Sequence, residues 1–275
     1  MAISLWTTEV ANHVVVATYL NPPMNYFCAA GAQEFSALVG QWRSPDIRAV
    51  VLTGGMPGKF ITHYSVEELV DLASNREAMR VAGTSLTTGY HAMLKRMRDL
   101  PKPVIVAMNG DTMGGGFELS LSCDIRIGQK ADIRYGLPEV KLGILPGGSG
   151  TQRLSRLIGA GGAIEFVLRS RIVRPEEALA MGLVHEVVDD ALVRAREIAA
   201  EIASFSPIAV SRAKHAVYAG SDTHLAAGLD VESSAFLETM LSEDGLAAMK
   251  AYISLPYEKR RDWLEKPTSP EYKGK

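Results

Sequence analysis

A chain of 275 residues, 47% hydrophobic and 22% charged, is long enough to bury one large core, or one core with a smaller appendage. Its 29 lysines and arginines against 31 aspartates and glutamates leave no basic footprint for nucleic acid or an acidic membrane surface. The two cysteines, Cys28 and Cys123, form neither a metal-type pair nor a disulfide framework, which fits a reducing compartment and makes both small core residues.

The opening MAISLWTTEVANHVVVATYL lacks a basic segment and interrupts its apolar residues with Thr, Glu, Asn and His, so neither a signal peptide nor a membrane span is expected. A cytoplasmic protein is the expectation. The same stretch predicts two strands, Ser4–Val10 and His13–Tyr19, turned at Ala11-Asn12. Asn21-Pro22-Pro23 ends the sheet, and Phe27, Phe35, Leu38, Val39 and Trp42 then recur at helical spacing up to Ser44-Pro45. Ile47–Thr53 is a near-continuous apolar strand of the kind buried on both faces.

After the loop GKFITHYSVEEL, the residues Met79, Gly83, Leu86, Tyr90, Leu94 and Met97 predict one long helix closed by Asp99-Leu100-Pro101. Pro103–Met108, Asp124–Ile127 and Gly182–Val188 predict further strands. Their alternation with helices defines an α/β protein with right-handed crossovers. From Ser206 onward the strand signals stop, which divides the chain into a core over 1–205 and a helical region over 206–275. Pro207–Tyr218, Asp222–Leu241 and Glu243–Ile253 read as helices, with caps at Ser221-Asp222 and Ser242-Glu243. The stripe Leu225, Leu229, Phe236, Leu237, Met240 and Leu241 is too wide for a lone surface helix and must pack on the core or on another subunit. The charged, proline-bearing tail EKRRDWLEKPTSPEYKGK is expected to fray at its end.

Two stretches carry chemistry. In Met113-Gly114-Gly115-Gly116-Phe117-Glu118, consecutive glycines precede a short helix, FELSLSCD, so their N–H groups lie at a helix N-terminus that favours developing negative charge. A glycine-rich loop that merely permits tight strand–helix packing explains them equally well; Glu118 tips the balance toward chemistry. In PEVKLGILPGGSG, Glu139 precedes a second glycine-rich turn at Gly147, which opens a helical run Thr151–Ile158. Taken alone, Glu139 reads as a surface loop residue. Two carboxylates converging on one pocket would form an acid–base pair. Gly147-Gly148-Ser149-Gly150-Thr151 imitates a nucleophile elbow but ends in Thr, and His185-Glu186-Val187-Val188-Asp189 lacks the second histidine of a zinc-protease helix. No dinucleotide or P-loop glycine spacing occurs, so metal, nicotinamide and nucleotide chemistry rank low.

Together, NGDTMGGGFELSLSCDIRIG, YGLPEVKLGILPGGSGTQRLSRLIG and IVRPEEALAMGLVHEVV resemble the crotonase family, the enoyl-CoA hydratase/isomerase superfamily, with the likeness starting near NPPMN. The resemblance implies a spiral of ββα turns and a helical C-terminal region that forms trimers, often paired into hexamers. It implies an acyl-CoA substrate that brings its own coenzyme A, with no permanently bound cofactor and no metal. The thioester oxygen would be held by the backbone N–H groups of Gly115 and of Tyr64, the latter within Phe60-Ile61-Thr62-His63-Tyr64-Ser65. The Thr62 carbonyl would face the adenine, Glu118 would activate water, Glu139 would supply the α-proton, and the Gly147 N–H would seat Glu139 or the water. Family members usually carry glycine and aspartate where this chain has His63 and Ser65. His63 would therefore be a wall beneath the pantetheine or a loop hydrogen bond, or else an imidazole touching the acyl group or the water. Retention of both glutamates favours hydration over a Δ3,Δ2-isomerase; the altered His63–Ser65 position keeps a hydrolase or C–C lyase of the same fold open, and the intact glutamates with a near-neutral surface speak against a non-catalytic CoA- or RNA-binding relative.

Overall fold

The computed structural model describes residues 4–265 and 270–275. Strands β1 (Trp6–Ala11) and β2 (Val14–Tyr19) form an antiparallel hairpin. Its turn is Asn12-His13, one residue later than expected, with φ of 49° and 65°. Two left-handed residues match the right-handed twist of the paired strands, which is what a two-residue hairpin needs. Helix α1 (Ala29–Gln41) follows, and Cys28 is its half-buried N-cap rather than a core residue, its Sγ accepting from the Gly31 N–H.

The chain then repeats one unit three times. Strand β3 (Ala49–Gly54) leads to β4 (Gly58–Lys59) and α2 (Val66–Ser74). After α3 (Arg76–Ala82) and α4 (Thr88–Arg98), β5 (Val104–Met108) leads to β6 (Gly110–Met113) and α5 (Gly114–Leu121). Next, β7 (Ile125–Gln129) leads to β8 (Tyr135–Gly136) and α6 (Gly150–Leu168). The first strand of each unit joins a six-stranded sheet of order β1-β2-β3-β5-β7-β10, parallel except at β1. The second joins a four-stranded sheet β4-β6-β8-β9; β9 (Ile172–Val173), followed by α7 (Pro175–Ala180), closes that sheet at one edge and β10 (Glu186–Val188) closes the larger one. This is the ββα spiral that the resemblance implies. The two sheets part at Asn109, whose Oδ1 accepts from Gly54 N at 3.1 Å and whose Nδ2 donates to Gly54 O at 2.8 Å.

One apolar core, with Phe27, Phe35, Trp42, Phe60, Phe117 and Phe166 fully buried, fills the space between the sheets and the helices. On the other face of the large sheet, helix α8 (Ala191–Ala203) lays Ala191, Ala195, Ala199 and Ala203 over Val16, Val51, Ile105 and Ala107. Small side chains let the helix approach closely. The expected single helix through Met79–Met97 is broken: Gly83, with φ of 53°, ends α3, and a 3₁₀ turn over Gly83–Thr87 separates it from α4. Helices α2 and α3 and that turn contain no buried residue.

The C-terminal region comprises α9 (Pro207–Ser221), α10 (Leu225–Leu241), α11 (Glu243–Ser254) and α12 (Arg260–Glu265). Ser242 caps α11 as expected, but α9 runs through Ser221, so His224 caps α10 instead. Helix α9 is fixed to the core where Lys214 Nζ and Tyr218 Oη both reach Asp124, at 2.8 Å each. The apolar stripe of α10 does not enter the core: Leu225, Phe236 and Leu241 are 79%, 64% and 76% exposed in the single chain. The end of the tail does not fray. Buried Asp244 accepts from Lys273 N and Gly274 N, both at 2.8 Å, and Arg48 Nη2 donates to Tyr272 O. Residues 266–269 of that tail lie outside the described residues. No described helix is long and apolar enough to cross a membrane.

Asn25 ties the chain's first loop to the segment after β4. Fully buried and at φ of 59°, it accepts from Asn21 N at 2.6 Å, donates through Nδ2 to Tyr19 O and Phe60 O, and receives Thr62 N on its carbonyl at 3.2 Å. Asn25→Ala therefore loses buried hydrogen bonds and meets a left-handed backbone, and should lower the free energy of unfolding in urea by about 2–4 kcal/mol. Asn25→Gly, which regains the backbone freedom, should lose about 1–2 kcal/mol less.

Candidate active site

Met113 is extended, with φ of −136° and ψ of 163°, and the three glycines that follow form the first turn of α5 itself. The first N–H groups of a helix have no intrahelical acceptor, and Met113 offers no side-chain cap. All eight residues of α5 are buried, and the helix is pressed against the Phe60–Ser65 segment. A Cβ on Gly116 would lie 2.0 Å from the Ile61 carbonyl oxygen, so only glycine permits this approach.

Across from Gly115, Tyr64 forms a parallel bridge with Phe27. Phe27 N donates to His63 O at 2.8 Å and Ser65 N donates to Phe27 O at 2.7 Å. Strand alternation therefore turns the intervening Tyr64 N–H away from Phe27 and toward α5. Tyr64 N lies 3.6 Å from the point where a Cβ on Gly115 would stand. Tyr90 Oη donates to the Gly115 carbonyl at 2.8 Å and fixes the glycine turn from behind. The two N–H groups singled out in the sequence are thus neighbours.

Tyr64 and Gly115 both line a cavity of about 560 Å³. One wall is apolar, with Val66, Leu69, Leu72, Met79 and Leu86, and the opposite wall carries Glu118 and Glu139. Glu139 opens a 3₁₀ turn over Glu139–Leu142 and is no surface loop residue: it is 8% exposed, and Glu118 is 3% exposed. Glu118 Oε1 accepts from Gly150 N at 2.6 Å. Glu139 Oε2 has no hydrogen-bond partner among the described residues. Burial pushes the Glu118 carboxyl up to about 8, against the Gly150 and Gly148 N–H groups and the Arg153 charge, which favour ionisation, and with Glu139 adding to the rise. Burial likewise pushes Glu139 up to about 7. The pair shares about one proton near neutral pH.

Several expectations change. The Thr62 carbonyl accepts from Met113 N at 2.8 Å, joining the two walls, and Thr62 is not among the residues that line the cavity. Gly147 lines the cavity, but the N–H groups of its loop that serve a carboxylate belong to Gly148 and Gly150, and they serve Glu118 rather than Glu139. His63 keeps an ordinary φ, stacks on Tyr26 with ring centroids 4.0 Å apart, and bonds through Nδ1 to Tyr64 O at 2.7 Å while lining the cavity. Ser65 caps α2, its Oγ accepting from Glu68 N. Tyr90 and Gly148 escaped notice in the sequence, the first as one apolar position of a helix, the second as one glycine among several.

A ββα spiral that sets two buried carboxylates over one cavity, beside the glycine turn of α5, defines an enzyme of the crotonase fold. A family model described as Enoyl-CoA hydratase/isomerase matches residues 9–266, and the chain belongs to that family. A short-chain-enoyl-CoA hydratase of Clostridium acetobutylicum is 36% identical over 249 residues, covering 89% of this chain and 93% of that protein. The (E)-benzylidenesuccinyl-CoA hydratase of Thauera aromatica is 36% identical over 227 residues, covering 81% and 86%. The crystal structure of an enoyl-CoA hydratase from Bacillus anthracis superposes with a TM-score of 0.84 at 33% identity, covering 98% of this chain and all of that one.

Glu118 titrates near 4.5 when unfolded and near 8 when folded, so the folded state holds its proton more tightly and loses stability as pH rises between these values. Glu118→Gln removes that loss. Its melting temperature should match the parent's near pH 5 and exceed it by several degrees at pH 8, as checked by thermal unfolding across pH.

Proposed function

We propose that the chain is a hydro-lyase that adds water across the C2=C3 bond of a 2-enoyl-CoA thioester, giving a 3-hydroxyacyl-CoA. The observation that carries this reading is the pair of buried carboxylates sharing a cavity with Tyr64 and Gly115, whose N–H groups have no acceptor outside their own elements among the described residues. The thioester oxygen would sit between the N–H groups of Tyr64 and Gly115. As negative charge grows on that oxygen, the two donors stabilise it, each worth about 3 kcal/mol in comparable sites. C3 then becomes electrophilic, while the acyl group lies along Val66, Leu69, Leu72, Met79 and Leu86.

Water held between the carboxylates completes the step. Its oxygen bonds to C3, its proton passes to ionised Glu118, and protonated Glu139 delivers a proton to C2. Burial holds the shared proton somewhat more firmly on Glu118 than on Glu139, so the reactive arrangement is the minor one in which that proton has moved to Glu139 Oε2, unpartnered among the described residues, while the Gly150 N–H supports ionised Glu118. Coenzyme A arrives as part of the substrate and no further cofactor takes part. His63 serves as a wall and a loop hydrogen bond. The exposed stripe on α10 supports assembly into a trimer or a pair of trimers, with 1–205 as the catalytic spiral and 206–275 as the assembling region. The chain would act in the cytoplasm.

Incubation with crotonyl-CoA should abolish the absorbance of the conjugated enoyl thioester. Isomerisation of a 3-enoyl-CoA without hydration of any 2-enoyl-CoA would overturn the reading. Glu118→Gln and Glu139→Gln should each lower kcat by about 10²–10⁴-fold with little change in substrate affinity. The parent's kcat/KM should be bell-shaped: it falls below about 7, where both carboxyls are protonated and no base remains, and above about 8, where both are ionised and no acid remains.

A further inference from the structure

The turn that delivers Gly150 to Glu118 contains an unusual residue. Ser149 is in the left-handed region, with φ of 89° and ψ of 7°, between two glycines that have no room for a side chain. A Cβ on Gly148 would stand 2.4 Å from Glu118 Oε2, and one on Gly150 would stand 2.8 Å from Glu118 Oε1. Ser149 therefore carries the only side chain on the arch over the Glu118 carboxylate. It occupies the N-cap position of α6, where a serine hydroxyl ordinarily accepts from the helix's own first N–H groups. Here no such bond forms. The hydroxyl instead accepts from Arg153 Nε at 2.8 Å, one turn further along α6.

The Arg153 charge bears on Glu118, yet Arg153 is not among the residues that line the cavity. We infer that Ser149 and Arg153 are positioning residues for Glu118: the arginine holds the serine in its left-handed turn, and that turn aims the Gly150 N–H at the carboxylate. The inference rests on the hydratase reading for its kinetic consequences only. The charged and titratable groups bearing on Glu118 are Glu139, Tyr90 and Arg153, and of these the arginine alone favours the ionised form. Removing its charge should therefore make Glu118 hold its proton to higher pH.

The test uses Ser149→Ala, Arg153→Gln and the conservative Arg153→Lys in the full chain. Arg153→Gln should lower kcat 10- to 100-fold with KM within about threefold, and move the alkaline limb of kcat/KM upward by half a pH unit or more. Arg153→Lys, which keeps the charge, should recover most of the limb position but only part of kcat. Ser149→Ala should lower kcat three- to tenfold. Unchanged kcat and an unchanged limb in Arg153→Gln, or an effect confined to KM, would overturn the inference. A readout without turnover separates the two ideas: the pH above which the melting-temperature gap between Glu118→Gln and its parent stops widening should rise when Arg153→Gln is placed in both backgrounds. If that pH rises while no enoyl-CoA is hydrated, the positioning holds and the hydratase reading falls. If it stays fixed, the positioning falls whatever the activity.

Discussion

The contact between α5 and the Phe60–Ser65 segment sets the geometry of the site. With no room for a Cβ between Gly116 and the Ile61 carbonyl, helix and segment meet backbone to backbone. Around that contact, Thr62 O binds Met113 N, Tyr90 Oη binds Gly115 O, and Asn25 fastens the far side of the segment. A backbone site of this kind has little freedom to relax. That rigidity is what the proposed donor pair requires, because donors that need not reorient lose nothing as charge develops.

The same packing that brings the N–H groups together leaves two carboxyl groups out of water. Left to themselves, buried carboxylates take up protons, and both glutamates move in that direction. What distinguishes them is the local donor supply. The N-terminal turn of α6 gives Glu118 a close N–H partner, whereas one oxygen of Glu139 has none among the described residues. The division of labour proposed for the pair draws on that asymmetry and works against the burial that keeps the shared proton more firmly on Glu118. It also means that the site is held in a state less stable than an uncharged replacement would be, with the spiral core supplying the difference.

Much of this was legible from particular residues. The buried strands Ala49–Gly54 and Val104–Met108 announced themselves as apolar runs, and the glycines before Glu118 pointed to exposed N–H groups. The family resemblance then singled out Tyr64 and Glu139, which local patterns alone left as loop residues. What escaped was decided by tertiary packing. The spacing of Met79, Leu86 and Leu94 is helical, yet Gly83 adopts a left-handed φ and breaks the run. The Thr62 carbonyl and the Gly147 loop sit where the motifs place them, but their partners are chosen by the approach of β6 and α6, which no local pattern encodes. The tail composition suggested fraying, while Asp244 receives two of its N–H groups.

The two sides of the cavity differ in how firmly they are built. Every residue of α5 is buried, whereas α2, α3 and the 3₁₀ turn after them bury none. Segments with few buried contacts open at low free energy and tolerate substitution, while core elements do neither. Mutations that reshape the Val66–Leu86 wall can therefore accumulate without loosening the floor that carries the donors and Glu118. Such a division lets one chemical apparatus be inherited intact while the compound it serves changes from lineage to lineage.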